Sequence, residues 1–85
     1  MGYELEITAD ARRSFERLNR STAQRIYTKL KEISDDPHPF VKRLKGADLF
    51  SLRVSDYRVI LDIQRRKMIM LVVKVGHRRE VYTSL

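Results

Sequence analysis

The sequence predicts an α+β fold in which a two-helix hairpin covers one face of an antiparallel sheet. Two periodicities support this prediction: apolar residues alternate along residues 3–8 and again after residue 48, and they recur at helical spacing between residues 11 and 33. The chain has 85 residues, enough for one small domain with a single core. We therefore expect residues 1–85 to form one domain with the element order β-α-α-β-β-β(-β).

The first two predicted elements are a strand and a short helix. Along residues 3–8, apolar side chains alternate with Glu and Thr, which is the period of a half-buried strand. Between Ala11 and Leu18 the apolar residues instead share one helical face, and Arg and Glu occupy the other. Asn19 is typical of a helix end, so we expect the first helix to stop there.

A second helix is predicted to begin at Ser21. Ser21 and Gln24 have the spacing of a capping box, in which the Ser side chain accepts a hydrogen bond from a backbone N–H. An apolar stripe then continues as far as Asp35 and Asp36. This stripe consists of Ala23, Ile26, Tyr27, Leu30 and Ile33. Because the loop between the two helices is short, we expect an antiparallel hairpin whose apolar side covers a sheet.

The remainder of the chain predicts a meander of strands. The predicted strands are residues 42–45, 49–54, 57–63 and 68–75. Turn signals separate them at Gly46, at Ser55 and Asp56, and in the basic segment 64–67. Gly76 is expected to end the last strand.

Strand alternation predicts which side chains point away from the helix-covered face. The expected inward sets are Phe50, Leu52 and Val54; Tyr57, Val59, Leu61 and Ile63; and Ile69, Leu71, Val73 and Val75. Successive strand residues point to opposite faces, so Arg53, Arg58 and Lys74 are expected to share the open face. Like charges gathered in this way repel one another unless an anion lies among them, and Arg offers a donor fork that fits phosphate.

The charge distribution also indicates an anionic partner. Residues 42–85 contain eleven Lys and Arg against four Asp and Glu, whereas residues 1–41 contain seven of each, and the formal net charge is +7. Such an excess attracts polyanions, of which nucleic acid is the leading candidate. A membrane surface is the weaker alternative, because the excess falls in predicted strands and turns rather than in a basic amphipathic helix. The segment GHRREVY adds Arg side chains and a Tyr on which a base could stack.

Other classes of function are not expected. The chain has no Cys and only two widely separated His, so neither a metal site nor a cofactor is predicted. The longest apolar run, residues 68–73, is too short to span a bilayer. The N-terminus lacks the basic and apolar regions of a signal peptide, so we expect a cytoplasmic protein.

Four segments together resemble the RelE branch of the RelE/ParE toxin superfamily. These are LKG, LFSLRV, DYRVILDI and VGHRREVY, and the resemblance covers nearly the whole chain. It implies a toxin of a type II toxin–antitoxin system. The RelE branch further implies a metal-independent endoribonuclease that cleaves mRNA in the ribosomal A site and inhibits translation. The implied partners are the ribosome, mRNA and a cognate antitoxin in a hetero-oligomeric complex.

Carried over by position, the resemblance implies catalytic roles for Arg53, Arg58, Arg78 and Tyr82. Where RelE proteins have two lysines spaced by one residue, this chain has Ser51 and Arg53. Neither side chain readily accepts a proton at neutral pH, so the general base stays unassigned. His77 is added as a catalytic candidate because imidazole changes charge near neutral pH. Further candidate contacts to RNA are Ser51, Lys74, Arg79 and Lys45.

Three apolar residues are expected on the open face. Strand phase places Ile60, Met70 and Val72 away from the helices, which predicts an antitoxin-binding patch.

Two other functions remain open. A ParE-like toxin would instead poison DNA gyrase through protein contact, although such members generally lack the C-terminal Arg and Tyr cluster. The replacement of lysine by Ser51 also leaves open a non-catalytic member that binds RNA or ribosomes without cleavage.

Overall fold

The structure, a computed structural model, describes residues 2–81. Within this range the chain forms five strands, two longer helices, a short helical turn and a final one-turn helix. In chain order these are β1 (Glu4–Ile7), α1 (Ala9–Arg17), α2 (Arg20–Ile33), a 3-10 turn (His38–Phe40), β2 (Lys42–Arg43), β3 (Phe50–Val54), β4 (Tyr57–Gln64), β5 (Ile69–His77) and α3 (Arg78–Val81). The predicted α+β architecture and the order of its elements are confirmed.

The five strands form one mixed sheet in the order β1-β5-β4-β3-β2. Strands β2 to β5 are antiparallel neighbours, as expected from their short connections. The expectation of a wholly antiparallel sheet is wrong for β1, which pairs in parallel with β5, Glu4 facing Ile69 and Ile7 facing Val72. The helices and three strands between β1 and β5 give the chain enough length to return in the same direction.

Side-chain caps on both helices fix the hairpin. Thr8 begins α1 by accepting a hydrogen bond from the Ala11 N–H at 3.1 Å. Asn19 begins α2 in the same way, accepting from the Thr22 N–H at 2.8 Å. The expected capping box at Ser21 is therefore wrong, because Asn19 provides the cap two residues earlier and Ser21 is already helical.

The core lies between this hairpin and the sheet. Its buried members are Ala11, Ile26, Leu30, Ile33, Leu52, Val54, Val59, Leu61, Ile63, Met70, Val72 and Val75. The predicted stripe of α2 buries Ile26, Leu30 and Ile33, whereas Tyr27 at its margin is 46% exposed. No helix among the described residues is long and apolar enough to cross a membrane.

A bulge in β5 changes which of its side chains face the core. On β4, Ile60 pairs with Lys74 but Leu61 pairs with Val72, so Val73 is an extra residue between two register positions. The bulge shifts the alternation by one residue. As a result Met70 and Val72 face the helices before it and Val75 faces them after it, and the predicted inward set of β5 is correct only at Val75.

The expected exposed patch of Ile60, Met70 and Val72 is wrong, because all three side chains are fully buried. Met70 and Val72 belong to the core beneath the helices. Ile60 lies on the opposite face, since its neighbours Val59 and Leu61 are core residues. The short helix α3 contacts β4 and β5, and its Val81 is also fully buried.

Candidate functional site

Two arginines lie side by side on the open face of the sheet. Arg53 on β3 and Arg58 on β4 are directly paired residues, so their side chains project from the same face. Arg53 is exposed, whereas Arg58 is half-buried and donates a hydrogen bond to the carbonyl oxygen of Tyr57 at 3.1 Å. Two like charges directly opposite each other destabilise a sheet, and a bound anion such as phosphate would relieve that repulsion.

The C-terminal end of β5 brings His77 and Arg78 to the same end of the sheet. Tyr57 pairs with His77, and their rings meet edge to face at 5.8 Å between centroids. The Arg78 N–H donates to the carbonyl oxygen of Asp56 at 3.0 Å, which ties the start of α3 to the turn between β3 and β4. Arg58 pairs with Gly76 on the open face, whereas His77 follows the core-facing Val75 by two residues and so projects from the helix-covered side at the same end of the sheet.

A backbone contact defines the hydrogen-bonding state of His77. The Arg79 N–H donates to Nδ1 of His77 at 3.4 Å. When Nδ1 accepts a hydrogen bond, the neutral imidazole carries its proton on Nε2. Nε2–H is therefore the group that His77 offers to a ligand.

Gly76 allows α3 to pack close to the sheet. Val75 faces the core, so Gly76 faces the opposite side, where α3 lies. A Cβ atom at Gly76 would lie 3.2 Å from Cγ2 of Val81, closer than ordinary carbon contact. Gly76 does not end the strand as expected, since β5 continues to His77. The absence of a side chain instead provides room for the helix that carries Arg78 and Arg79.

A groove adjoins the basic end of the sheet. It has a volume of about 510 Å³ and lies between α1 and the end of β5. Lys74 and His77 line it from β5, and Arg17 lines it from α1. Lys74 is half-buried and pairs with Ile60, which places it on the open face as predicted by alternation. The groove therefore presents three nitrogen groups suited to an anionic ligand.

The remaining predicted residues do not all join this cluster. Lys45 lies in the connection that precedes Phe50, at the end of β3 away from Arg53. Tyr82 lies outside the described residues. Arg79 is exposed on α3 beside Arg78. Within residues 2–81, no three His, Asp or Glu side chains are grouped closely enough to hold a metal ion.

The match to a protein family decides the classification of the chain. The model of the family described as the ParE toxin of type II toxin–antitoxin systems, parDE, matches residues 5–82. The chain belongs to the RelE/ParE toxin superfamily. It is therefore a toxin of the type II toxin–antitoxin class.

Relatives of this toxin include RelE and RelE-like proteins. A RelE-like toxin protein of Escherichia coli is 31% identical over 81 residues, which cover 92% of this chain and 85% of that protein. The mRNA interferase toxin RelE of Escherichia coli K12 is 28% identical, covering 99% of this chain and 94% of that protein. The toxin–antitoxin complex RelBE2 of Mycobacterium tuberculosis contains a similar fold, with a TM-score of 0.82, 24% identity, and coverage of 92% of this chain and 100% of that one.

Two basic residues of the toxin were missed by reasoning from the sequence. Lys42 pairs with Ser51 across β2 and β3, so its ammonium group projects from the open face beside the serine. Arg17 reaches the groove at the end of β5 from α1. Lys42 could have been found from its place in a predicted strand had the register between β2 and β3 been known. The sequence contained no signal for Arg17, because its position depends on the packing of α1 against β5.

Proposed function

We propose that this toxin is a ribosome-dependent endoribonuclease that cleaves mRNA in the ribosomal A site and so inhibits translation. The observation that carries the proposal is the adjacency of Arg53 and Arg58 on the open face, with His77 and Arg78 at the same end of the sheet. A phosphodiester would supply the negative charge that this arrangement lacks. The relative named as an mRNA interferase, at 28% identity, supports the same reaction class.

The proposed reaction begins with attack of a ribose 2′-OH on the adjacent phosphorus. Negative charge then develops on the phosphorane oxygens, where Arg53, Arg58 and Arg78 would donate hydrogen bonds. One such pre-placed donor is typically worth about 10²- to 10³-fold in rate. The P–O5′ bond breaks, and a solvent water supplies the proton to the departing O5′, to which the Nε2–H of His77 is proposed to donate a hydrogen bond. Tyr82 is proposed either to stack on a neighbouring base or to donate from its hydroxyl.

Substrate alignment in this proposal comes from the ribosome. Ser51 and Arg53 are both unsuited to accept the proton of the 2′-OH, so in this proposal the proton passes to a solvent water. Binding in the A site would hold the attacking oxygen, phosphorus and leaving oxygen in line, which is itself a large source of rate acceleration. Ser51, Lys74 and Arg79 are proposed as RNA contacts around the cleaved phosphate.

The toxin is further proposed to act in the cytoplasm and to be neutralised by a cognate antitoxin in a hetero-oligomeric complex. The relative from Mycobacterium tuberculosis was solved as a toxin–antitoxin complex, which supports such a partner here. The antitoxin surface cannot consist of Ile60, Met70 and Val72, which are buried.

The match to the ParE family favours one alternative. In this alternative, a ParE-like toxin with this fold would poison DNA gyrase by protein contact and leave mRNA intact. A non-catalytic member that binds ribosomes is a second alternative, motivated by Ser51 in place of a lysine. The relative named as an mRNA interferase favours the nuclease over the ParE-like function, whereas the paired arginines Arg53 and Arg58 would serve a non-catalytic RNA-binding member equally well.

Primer extension on programmed ribosomes tests the proposal. Purified toxin is added to ribosomes that carry a defined mRNA, beside Arg78→Ala and Tyr82→Phe. Arg66→Ala serves as the control, since Arg66 is an exposed residue of the turn between β4 and β5. New 5′ ends at the A-site codon with wild-type and Arg66→Ala toxin, but not with Arg78→Ala, would support it.

Other outcomes of this assay select an alternative. Ribosome binding without cleavage by the wild-type toxin would indicate the non-catalytic member. Inhibition of gyrase supercoiling without cleavage would indicate the ParE-like function. Tyr82→Phe would retain activity if Tyr82 stacks and lose it if the hydroxyl donates.

A further inference from the structure

A second basic groove lies on the helix-covered side of the toxin, apart from Arg58 and His77. It has a volume of about 620 Å³ and runs between α2 and the end of β3. Its basic residues are Arg25 and Lys29 on α2 and Arg53 on β3. Ser21, Gln24, Thr28 and Ser55 add hydroxyl and amide groups, and the carboxylate of Glu32 and the apolar side chain of Val54 complete the lining. The groove thus combines positive charge with neutral hydrogen-bond donors.

Helical periodicity explains how α2 forms its wall. Ser21, Arg25 and Lys29 are four residues apart and therefore lie one above another on the helix surface. Gln24, Thr28 and Glu32 form a second row beside them. At a rise of 1.5 Å per residue, the wall from residue 21 to residue 32 is about 16 Å long. That length can contact more than one phosphate along a backbone.

The positive charge of this groove is largely uncompensated. Within the part of the chain that the structure describes, the side chains of Arg25 and Arg53 form neither a salt bridge nor a hydrogen bond. Lys29 lies 3.9 Å from a carboxylate oxygen of Glu32, an exposed pair of the kind that contributes little to stability. The Lys29 ammonium also lies 5.4 Å from the centre of the Phe40 ring, which restricts its position without removing its charge.

We infer that this groove binds RNA backbone outside the cleaved codon, and that Arg25 and Lys29 contact phosphates there. The inference rests on the proposed function, in which RNA is the anionic substrate that the toxin binds. Arg53 belongs to both surfaces, because it pairs with Arg58 on the open face and also lines the groove. An RNA strand at the cleavage site can therefore continue past Arg53 onto α2. Hydroxyl and amide donors suit phosphate oxygens without selecting a base, so the groove adds affinity rather than sequence specificity.

The test is the salt dependence of binding to an RNA that cannot be cleaved. The probe is a fluorescent single-stranded 2′-O-methyl RNA, which lacks the attacking hydroxyl, and fluorescence anisotropy gives its affinity at several NaCl concentrations. The double variant Arg25→Gln, Lys29→Gln removes both α2 cations. Gln has nearly the helix propensity of Arg and Lys, so the fold is retained, and thermal unfolding checks this.

A matched control distinguishes the effect of where the removed cations lie from the effect of the lower net charge. Arg65→Gln, Lys67→Gln removes two exposed cations from the turn between β4 and β5, and both double variants lower the formal charge from +7 by two. Each single-strand phosphate contact contributes about 0.7 to the slope of log K against log salt. We expect the α2 variant to lose about 1.4 from the slope, Arg25→Gln alone to lose about 0.7, and the control to lose much less.

Three outcomes would overturn the inference. These are an unchanged slope in the α2 variant, an equal loss in the turn variant, and a wild-type toxin that does not bind the RNA. Failure of the proposed function is a separate result. It would appear as absent cleavage on programmed ribosomes and does not require any change in the slope measured with uncleavable RNA.

Discussion

The substitution Gly76→Ala tests whether close packing of α3 on β5 positions the basic C-terminal segment. The added Cβ would lie 3.2 Å from Cγ2 of Val81. Carbon atoms in contact are most stable at about 3.5–4.0 Å, so one of the two must move by about 0.3 Å or more. Val81 is fully buried and cannot turn toward solvent. The displacement is therefore expected to pass to the backbone of α3.

This displacement should lower both stability and activity. Overfilling a well-packed site typically costs about 1–3 kcal/mol of unfolding free energy. Arg78 and Arg79 precede Val81 on the same helical turn, so they move with it. A misplacement of about 1 Å in an active site can cost about 10²-fold in rate, and the smaller shift here is expected to cost roughly tenfold in cleavage.

A double-mutant cycle with Val81→Ala measures the contact itself. Val81→Ala removes two buried methyl groups, worth about 1.6 kcal/mol at about 0.8 kcal/mol each. It also removes the atom that the methyl group added at position 76 would strike. The double variant should therefore be less destabilised than the sum of the single variants, with a coupling of about 1–3 kcal/mol. Urea denaturation gives the free energies, and primer extension on programmed ribosomes gives the cleavage rates.

Two results would refute this reasoning. Additive free energies in the cycle would mean that the methyl group added at position 76 and the side chain of Val81 do not compete for the same space. Wild-type stability and cleavage in Gly76→Ala would mean that α3 has no need of a glycine beneath it.

Three further predictions follow from the packing, the caps and the register. Leu30→Ala empties a fully buried position and should lower the unfolding free energy by about 2–5 kcal/mol in urea denaturation, and a loss below about 1 kcal/mol would contradict its place in the core. Asn19→Ala should lower the unfolding free energy by about 0.5–2 kcal/mol because it removes the α2 cap, whereas Ser21→Ala should lower it little. Thermal unfolding measures both variants, and a larger loss in Ser21→Ala would contradict this assignment of the cap. Lys42→Gln removes the ammonium beside Ser51 and should slow cleavage roughly ten- to hundredfold. Arg43→Gln, on the opposite face of β2, should leave the cleavage rate unchanged. Equal cleavage rates in the two variants would exclude Lys42 from the site.

Much of the secondary structure could be predicted from the sequence because its signals are local. The alternation of residues 3–8 and the stripe of α2 depend on neighbours within a few residues, and both elements formed as expected. The same alternation correctly placed Arg53 and Arg58 on one face, since β3 and β4 are regular along that stretch. These features needed no knowledge of the rest of the chain.

The errors arose where distant segments meet. The parallel pairing of β1 with β5 joins residues more than sixty positions apart, and no local pattern specifies a partner strand. The bulge at Val73 is set by the register between β4 and β5, and it turned Met70 and Val72 from an expected surface patch into core. For the same reason, the position of Lys42 beside Ser51 could not be predicted, because it depends on the register between β2 and β3.

The amino-acid sequence by itself therefore determined the helices, most strand positions, the excess of positive charge and the basic character of the open face. Only the tertiary structure decided which β5 residues are buried, why position 76 must lack a side chain, and which cations gather beside α2. The physical reason is that periodicity records the average environment of one element, whereas register, bulges and close packing depend on two elements at once.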